Sequence, residues 1–284
     1  MFPLKIVPDW KSCPYCHTIV ILPKYKDQDY YFYCHICLKW INWREETCLK
    51  NSKIHYEEFE RLLLMFIHNK SASEATLNYQ NSLSCSQSSK NTVQKYFKLF
   101  TDIAYIYYTQ NLNSILLTGE VEVDETLIFK PKKTQAKGHR SYQLPLMWLL
   151  GMIERGTKRF IIIPVKTRDE PTLMNILLKY INCNATIYTD CHSVYVNNRI
   201  FPKESRLLDY GYNHQYVDHS KEFVTCEFDH IHTNTIERLW KSIKSDLRDK
   251  KVTKGYMKAI ARFYFHKTLH KNDQLKFIMD YINK

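Results

Sequence analysis

The sequence predicts an α/β fold in which a domain built on a mixed β-sheet follows a metal-binding ribbon and a small helical module. Three observations indicate this arrangement. Two Cys-x-x-Cys motifs lie within the first 40 residues, residues 53–110 carry apolar side chains at helical spacing, and the remainder alternates strands with amphipathic helices. We therefore expect three domains, comprising residues 1–50, 51–112 and 113–284.

Composition indicates a folded protein that binds a polyanion. The chain of 284 residues is 44% hydrophobic and has a formal net charge of +12. Nucleic acid is the commonest partner of so basic a protein, although an anionic membrane surface is an alternative. No apolar run reaches the length of a membrane span, and residues 1–10 lack a signal-peptide core. None of the glycine-rich nucleotide-binding patterns occurs, which argues against an ATP-driven enzyme.

The N-terminal segment carries the four cysteines of a predicted zinc ribbon, Cys13, Cys16, Cys34 and Cys37. Each Cys-x-x-Cys pair supplies two thiolates from one tight turn, and two pairs complete a tetrahedral Zn²⁺ site. The alternatives are incidental cysteines or a redox Cys-x-x-Cys, but a redox motif needs no second copy. The chain has nine cysteines, an odd number, and no secretion signal, so we expect reduced thiols inside a cell rather than disulfides.

The second segment is predicted to contain a helix-turn-helix. Apolar residues at helical spacing predict helices over 56–68 and 92–108, with a short helix beginning at Glu74 between them. In such a motif the last helix enters the major groove of DNA. The alternative is a helical linker that packs against the following domain. The candidate DNA-reading residues are Ser86, Gln87, Ser89, Lys90, Asn91 and Gln94.

The order of elements in the third segment is that of an RNase H-like core. We predict a strand over 120–129, a hairpin of strands over 148–153 and 159–165, a helix over 168–182 and a strand over 185–189. Three strands, a helix and a further strand build a mixed sheet, and such a sheet binds ligands beyond its strand ends.

Three acidic residues of this segment form a candidate site for divalent metal. Asp124 and Asp190 lie at the ends of hydrophobic strands, and Glu237 lies in the first turn of an amphipathic helix. Alternation along the first strand places Asp124 on the same face as Glu122 and Thr126. Mg²⁺ is a hard cation that binds a few carboxylates and leaves room for phosphate oxygens, so this set predicts two-metal phosphoryl transfer.

The helix that begins near Asn234 has one apolar and one charged stripe. The charged stripe could supply a metal ligand and a cradle for a DNA phosphate. The alternative is an ordinary surface, with Asn234 and Glu237 as a capping box and Glu237 and Lys241 as an i,i+4 pair. The apolar stripe contains Ile236, Trp240, Ile243 and Leu247, and the charged stripe contains Glu237, Lys241, Lys244 and Arg248.

Several motifs in combination resemble those of Merlin-superfamily DDE transposases and their bacterial insertion-sequence relatives. The resemblance covers most of the chain, including the zinc ribbon. It implies an RNase H-like catalytic domain in which Asp124, Asp190 and Glu237 bind Mg²⁺ or Mn²⁺ and Lys244 is the basic residue of the same helix. The motifs are Val-Glu-Val-Asp-Glu-Thr at 121–126, Gly-Met-Ile-Glu-Arg-Gly at 151–156, Ile-Tyr-Thr-Asp at 187–190 with Tyr195, Asp-His-Ser-Lys at 218–221 with Phe223, and His-Thr-Asn-Thr-Ile-Glu at 232–237 with Trp240 and Lys244.

The resemblance implies a DNA transposase that cuts transposon ends and joins them to target DNA. Its partners would be double-stranded DNA, at the terminal inverted repeats and the target, and further copies of the chain, since two ends must be paired. Lys241, Arg248, Lys90 and Gln94 are the candidate DNA contacts. The expected location is the nucleus of a eukaryotic host or the cytoplasm of a bacterium. The alternatives are a non-catalytic DNA-binding protein derived from a transposase and an RNase H-like nuclease.

The chain departs from the family pattern at two places. The family usually has a glycine just after the second aspartate, where this chain has Cys191 and His192. The stretch 196–208 is also longer than usual. Neither departure alters the three acids, although the first could mark a decayed copy. His219 and His232 could assist at the site, but such histidines are more often structural.

Overall fold

The computed structural model describes residues 7, 9–80, 90–128, 148–197, 204–217, 232–249 and 256–283. The chain divides into two compact units, one formed by Met1–Tyr108 and Ala261–Lys284 and the other by Thr109–Ile260. The three domains expected at 1–50, 51–112 and 113–284 remain a prediction. Among the described helices, none has the length and apolar composition that a membrane span requires.

The described elements alternate between short strands and helices. The strands are β1 (Trp10–Ser12), β2 (Ile19–Ile21), β3 (Lys24–Lys26), β4 (Asp29–Cys34), β5 (Lys39–Asn42), β6 (Glu120–Leu127), β7 (Trp148–Glu154), β8 (Phe160–Val165), β9 (Thr186–Asp190), β10 (Val196–Asn197), β11 (Glu204–Ser205) and β12 (Asn213–Val217). The helices are α1 (Tyr56–Ile67), α2 (Ala72–Gln80), α3 (Lys90–Ser114), α4 (Glu170–Tyr180), α5 (Asn234–Asp249), α6 (Tyr256–Thr268) and α7 (Lys271–Ile282).

The N-terminal ribbon is built from antiparallel strands. β1 pairs with β2, and β4 pairs with both β3 and β5 in a three-stranded sheet. Side chains alternate across this sheet, so Phe32 and Ile41 are buried on one face while Trp40 is exposed on the other. The chain between the two Cys-x-x-Cys motifs is therefore built largely of β-strands.

The helices of the first unit share an apolar core. Residues of α1, α3 and α7 form one buried cluster, in which the ring of Phe66 lies 5.4 Å from that of Phe100. Helix α2 begins with a capping box, because Ser71 and Glu74 each accept the backbone N–H of the other. The three predicted helices are confirmed, and α3 extends beyond residue 108 to Ser114. The fully buried side chains of α1 are Phe59, Leu62, Leu63 and Phe66.

The second unit contains a five-stranded sheet in the order β12-β9-β6-β7-β8. β7 is antiparallel to β6 and β8, whereas β9 is parallel to β6 and β12. This order and these directions confirm the predicted RNase H-like mixed sheet. The central strand β6 carries Asp124, and β9 beside it ends at Asp190, so two of the predicted acids lie on adjacent strands.

Helix α4 covers one face of the sheet. Asp169 caps it, since its Oδ1 accepts the N–H of Thr172 at 3.0 Å. Leu177 of α4 belongs to the same buried cluster as Val121 and Val123 of β6. The apolar face of β6 is thus turned towards α4, which leaves the face of Asp124 for α5.

The stretch 196–208 is longer than the resemblance implies, and its described residues, 196–197 and 204–208, belong to the second unit. It contains the antiparallel pair of β10 and β11 and leads into a 3-10 helix at Leu207–Tyr210, in which Leu207 is fully buried. The hydroxyl of Tyr212 then donates to the carbonyls of Leu177 and Ile181 at 3.3 and 3.1 Å. Three features named in the sequence lie outside the described residues, namely the 218–223 motif, His219, and the candidate contacts Ser86, Gln87 and Ser89.

Candidate active site and zinc centre

Asp124 faces α5 from the middle of the sheet. The indole Nε1 of Trp240 donates to Asp124 Oδ2 at 2.8 Å. The register partner of Asp124 on β7 is Gly151, and a Cβ at that position would lie 2.5 Å from two carbon atoms of the indole. Glycine therefore allows Trp240 to lie directly against the sheet, where its N–H reaches the carboxylate.

Glu122, two residues before Asp124 on the same face, fixes the start of α5. Its side chain is fully buried, and it accepts the backbone N–H of Ile236 at 2.8 Å and Nε of Arg155 at 2.9 Å. A carboxylate at a helix N-terminus satisfies a free N–H group and interacts favourably with the helix dipole. Arg155 also donates to the carbonyl of His232, just before the helix. Alternation along β6 predicts the face of Glu122 correctly but does not predict this role.

Asp190 is held by the turn that follows β9. The backbone N–H of His192 donates to Asp190 Oδ1 at 2.9 Å. Neither Cys191 nor His192 is among the described residues with positive φ. This turn therefore does not need the conformational freedom of the glycine that the family usually has there.

Glu237 lies exposed on the charged stripe of α5, whose apolar stripe is buried as predicted. Its backbone N–H donates to the carbonyl of Thr233 at 3.1 Å, while the N–H of Ile236 is capped by Glu122. Within the described part of the chain, the Glu237 carboxylate makes no hydrogen bond or ion pair with Asn234 or Lys241. The contacts that define a capping box or an i,i+4 pair at Glu237 are thus not seen among these residues.

The three predicted acids interact electrostatically. Burial, together with the charges of Asp190 and Glu237, raises the pKa of Asp124 to about 6, although the hydrogen bond from Trp240 acts in the opposite direction. Over the described ranges, only the four cysteines place three or more ligand atoms all within 4.8 Å of one another. The carboxylates of Asp124, Asp190 and Glu237 are therefore spread more widely than the ligands of a single ion. Such a spread is compatible with a two-metal site, whose ligands are distributed over two ions about 3.5–4 Å apart.

Glu125 is a further acid beside the site that sequence analysis missed. Its side chain is only 4% exposed, accepts a hydrogen bond from the hydroxyl of Tyr195, and lies 3.9 Å from Nη1 of Arg168. Burial, with the charges of Asp124 and Asp190, raises its pKa to about 7 against the opposing effects of Tyr195 and Arg168. Strict alternation along β6 would have found Glu125, since it places this carboxylate on the apolar face with Val123.

The candidate DNA contacts lie on exposed surface in both units. Lys241, Lys244 and Arg248 share the charged stripe of α5 in the second unit, and Lys90 and Gln94 lie in the first turns of α3 in the first unit. His232 lies at the start of α5, where its Nδ1 is 3.4 Å from Glu122 Oε1. That position supports a structural role for His232.

The four cysteines of the ribbon converge on one point. Cys13 and Cys37 have their Sγ atoms 3.5 Å apart, as do Cys16 and Cys34, and all four sulfurs lie within 4.8 Å of one another. Four thiolates at about 2.3 Å from one Zn²⁺ ion in a tetrahedron would be about 3.8 Å apart. Cys13 and Cys34 are fully buried, while Cys16 and Cys37 are half-buried. The donor set and its spacing fit structural zinc.

The residue that follows each Cys-x-x-Cys pair of the zinc centre has a left-handed backbone conformation. His17 and Leu38, each directly after the second cysteine of a pair, have φ of 59° and 57°. In the first turn the N–H of His17 donates to the carbonyl of Cys13 at 2.9 Å. These left-handed residues turn the chain so that both sulfurs of a pair face the same point.

The sheet order and the acids on its two neighbouring strands define an RNase H-like domain of the kind that carries DDE chemistry. Residues 116–267, more than half of the chain, match the family model described as ISXO2-like transposase domain. The chain therefore belongs to the family of ISXO2-like DDE transposase domains. No curated protein matches the chain in sequence.

Among solved structures, the chain is similar to a chain in the cryo-EM structure of the simian T-cell lymphotropic virus intasome in complex with PP2A regulatory subunit B56 gamma. The two are 12% identical over 72% of this chain and 68% of that chain, with a TM-score of 0.33. This similarity is too low to support an argument, so the fold assignment rests on strand order and direction.

We expect the purified protein to contain one equivalent of Zn²⁺ and Cys34→Ser to lose it, because a hydroxyl is a much weaker zinc ligand than a thiolate. Elemental analysis of the purified protein measures this directly. Cys183→Ser, which removes an exposed cysteine of the second unit, is the matched control and should retain the metal. A folded wild-type protein without zinc would contradict the assignment.

Gly151→Ala should lower the free energy of unfolding by about 1–3 kcal/mol, because the new methyl group overlaps a rigid indole. The matched control is Gly156→Ala in the following turn, where an added Cβ meets no atom within 4 Å. Urea unfolding compares the two. In a Trp240→Phe background the smaller ring leaves room, so the penalty at position 151 should shrink. Equal effects of the two glycine variants would show that Trp240 does not lie against the sheet.

Asp124→Asn should stabilise the metal-free protein above about pH 6. The pKa of Asp124 rises from 3.8, its ordinary value, to about 6 in the folded state. Between these two pH values the folded state therefore binds more protons than the unfolded state, and it loses stability relative to the unfolded state as pH rises. Above this window the ionised carboxylate costs about 1–2 kcal/mol, a value reduced for its partial exposure. The amide oxygen still accepts the Trp240 hydrogen bond.

Free energies of unfolding measured across this pH range should therefore diverge between wild type and Asp124→Asn as pH rises. Asp209→Asn changes an exposed carboxylate of the same unit and should follow the wild-type curve. A constant difference between wild type and Asp124→Asn at every pH would refute the role of charge.

Proposed function

We propose that the protein is a DNA transposase that cuts the ends of its element and joins them to target DNA by two-metal phosphoryl transfer. Membership of the ISXO2-like family supports this proposal. The observation that carries it is geometric: Asp124 lies on the central strand β6 beside β9, which ends at Asp190, and Trp240 of the helix that carries Glu237 donates to Asp124. The combined motifs further support a place in the Merlin superfamily.

Asp124, Asp190 and Glu237 would hold two Mg²⁺ or Mn²⁺ ions, since hard cations prefer carboxylate oxygens. When bound, such ions polarise the phosphate and activate the attacking oxygen. In-line displacement depends mainly on positioning and charge neutralisation. The protein supplies the positioning, because Trp240 orients Asp124, the N–H of His192 orients Asp190, and the network of Glu122 holds the helix that carries Glu237.

The basic residues of α5 would bind the phosphates beside the reacting bond. Lys244 lies seven residues after Glu237, nearly two helical turns, so both share one stripe. Lys241 and Arg248 extend the same stripe and would act as further phosphate contacts. Each exposed cation contributes a salt-dependent part of the affinity for DNA.

The N-terminal modules would recognise the terminal inverted repeats. Under this proposal residues 1–50 form a ribbon held by Zn²⁺, residues 51–112 form a helical module that uses Lys90 and Gln94, and residues 113–284 form the catalytic domain. Pairing of two transposon ends requires a dimer or a higher oligomer. A DNA partner places the protein in the nucleus of a eukaryotic host or in the cytoplasm of a bacterium.

Asp190→Asn should abolish Mg²⁺-dependent cleavage of DNA that carries the element's ends while leaving DNA binding nearly unchanged. The amide preserves the shape of the side chain and an acceptor for the N–H of His192, but it removes the charge that a cation needs. Cleavage is followed on labelled end DNA, and binding by a mobility shift without divalent metal. Asp209→Asn is the matched control and should cut at the wild-type rate.

The remaining outcomes separate the alternatives. Cleavage by Asp190→Asn at the wild-type rate would refute the assignment of the site. A wild-type protein that cuts but never joins its product to target DNA would be an RNase H-like nuclease. A wild-type protein that binds end DNA but does not cut it with Mg²⁺ or Mn²⁺ would be a DNA-binding protein derived from a transposase.

A further inference from the structure

The three-stranded sheet of the ribbon has an aromatic face, which we term the outer face and define by Lys24, Tyr31, Tyr33 and Trp40. These residues share one side of the sheet, because Lys24 pairs with Tyr31 and Tyr33 pairs with Trp40 in the strand register. The rings of Tyr33 and Trp40 lie 4.9 Å apart and are tilted by 46°. Trp40 is 55% exposed, so a large indole faces solvent on a folded sheet.

Positive charge borders these rings. Nζ of Lys24 lies 5.7 Å from the centre of the Trp40 ring, and no described carboxylate forms an ion pair with Lys24. Lys26 is also exposed, and its Nζ lies 4.0 Å from Oδ2 of Asp27, an exposed acid of the adjacent turn. These charged residues and the aromatic rings border a groove of about 410 Å³. It is lined by Lys24, Tyr25, Lys26, Asp27, Tyr31 and Trp40.

We propose that the outer face binds unpaired bases of single-stranded DNA by stacking. This inference rests on the proposed function for its DNA partner. Exposed aromatic rings beside cations are the components of a surface that stacks bases and holds phosphates. A duplex buries the faces of its bases and offers mainly its phosphates to Lys24, so it would leave Trp40 unused. Under the proposed function, staggered cutting of a transposon end would leave such unpaired nucleotides.

The test compares single-stranded and duplex DNA on the full-length, zinc-loaded protein without added Mg²⁺. Fluorescence anisotropy of a labelled oligo(dT) of about 12 nucleotides, within the range of known single-strand sites, reports the affinity. Trp40→Ala should weaken oligo(dT) binding by about 10-fold or more and duplex binding by less than about 2-fold. Trp40→Phe retains a ring and should restore most of the affinity. Lys24→Gln should lower the salt slope for oligo(dT) by about 0.7, the value of one phosphate contact on a single strand.

Ile21→Ala is the matched control, because it removes an apolar side chain that is at least as exposed as Trp40 from β2 of the same ribbon. It should leave both affinities unchanged. The proposal fails if Trp40→Ala weakens single-stranded and duplex DNA equally, if Ile21→Ala matches its effect, or if wild type does not bind oligo(dT). Tighter binding of oligo(U) than oligo(dT) would also overturn it in favour of RNA. Because no cleavage is involved, this result is independent of whether Asp190 is catalytic.

Discussion

The position of α5, and with it the candidate active site, depends on the buried carboxylate of Glu122. That carboxylate accepts hydrogen bonds from the backbone N–H of Ile236 and from the guanidinium of Arg155. It therefore satisfies a free N–H group at the start of α5, while Arg155 neutralises its own buried charge. Removal of one partner from a buried ion pair typically costs about 3–5 kcal/mol. Because Glu122 precedes Asp124 by two residues on the same face, the strand that carries one candidate ligand also fixes the helix that carries Glu237.

The motifs that carry the family resemblance are parts of one packing arrangement. The 121–126 motif contributes Glu122 and Asp124, the hairpin motif contributes Gly151 and Arg155, and the helix motif contributes Trp240. Each of these residues contacts a residue of another motif, since Arg155 pairs with Glu122 and Trp240 lies against Gly151 to reach Asp124. Motifs that are distant in sequence therefore constrain one another in space. This is the physical reason that they are weak singly and specific together.

Local periodicity was enough to predict the elements whose signal is carried by neighbouring residues. The buried stripe of α1, the two stripes of α5 and the order of β6, β7, β8, α4 and β9 were all readable from spacing. The structure adds what spacing does not encode, such as the capping of α5 by Glu122, a contact between residues 114 positions apart. Strand β12 was missed because it is short and none of its residues is fully buried. Glu125 was missed although alternation alone assigned its face.

The contacts of the acids separate a structural carboxylate from the candidate functional ones. Glu122 is paired with a cation, Arg155, and its charge is used within the fold. Asp124 instead has a neutral partner, the indole N–H of Trp240, which orients the carboxylate without cancelling its charge. Burial and neighbouring carboxylates then oppose ionisation of Asp124, and such perturbed acids are typical of functional sites. A divalent cation bound to these acids, as proposed, would relieve their repulsion, and because it would bind only the folded state it would stabilise that state. Under the proposed function, the burial and repulsion that raise the pKa of Asp124 in the free protein are therefore what a bound cation would offset.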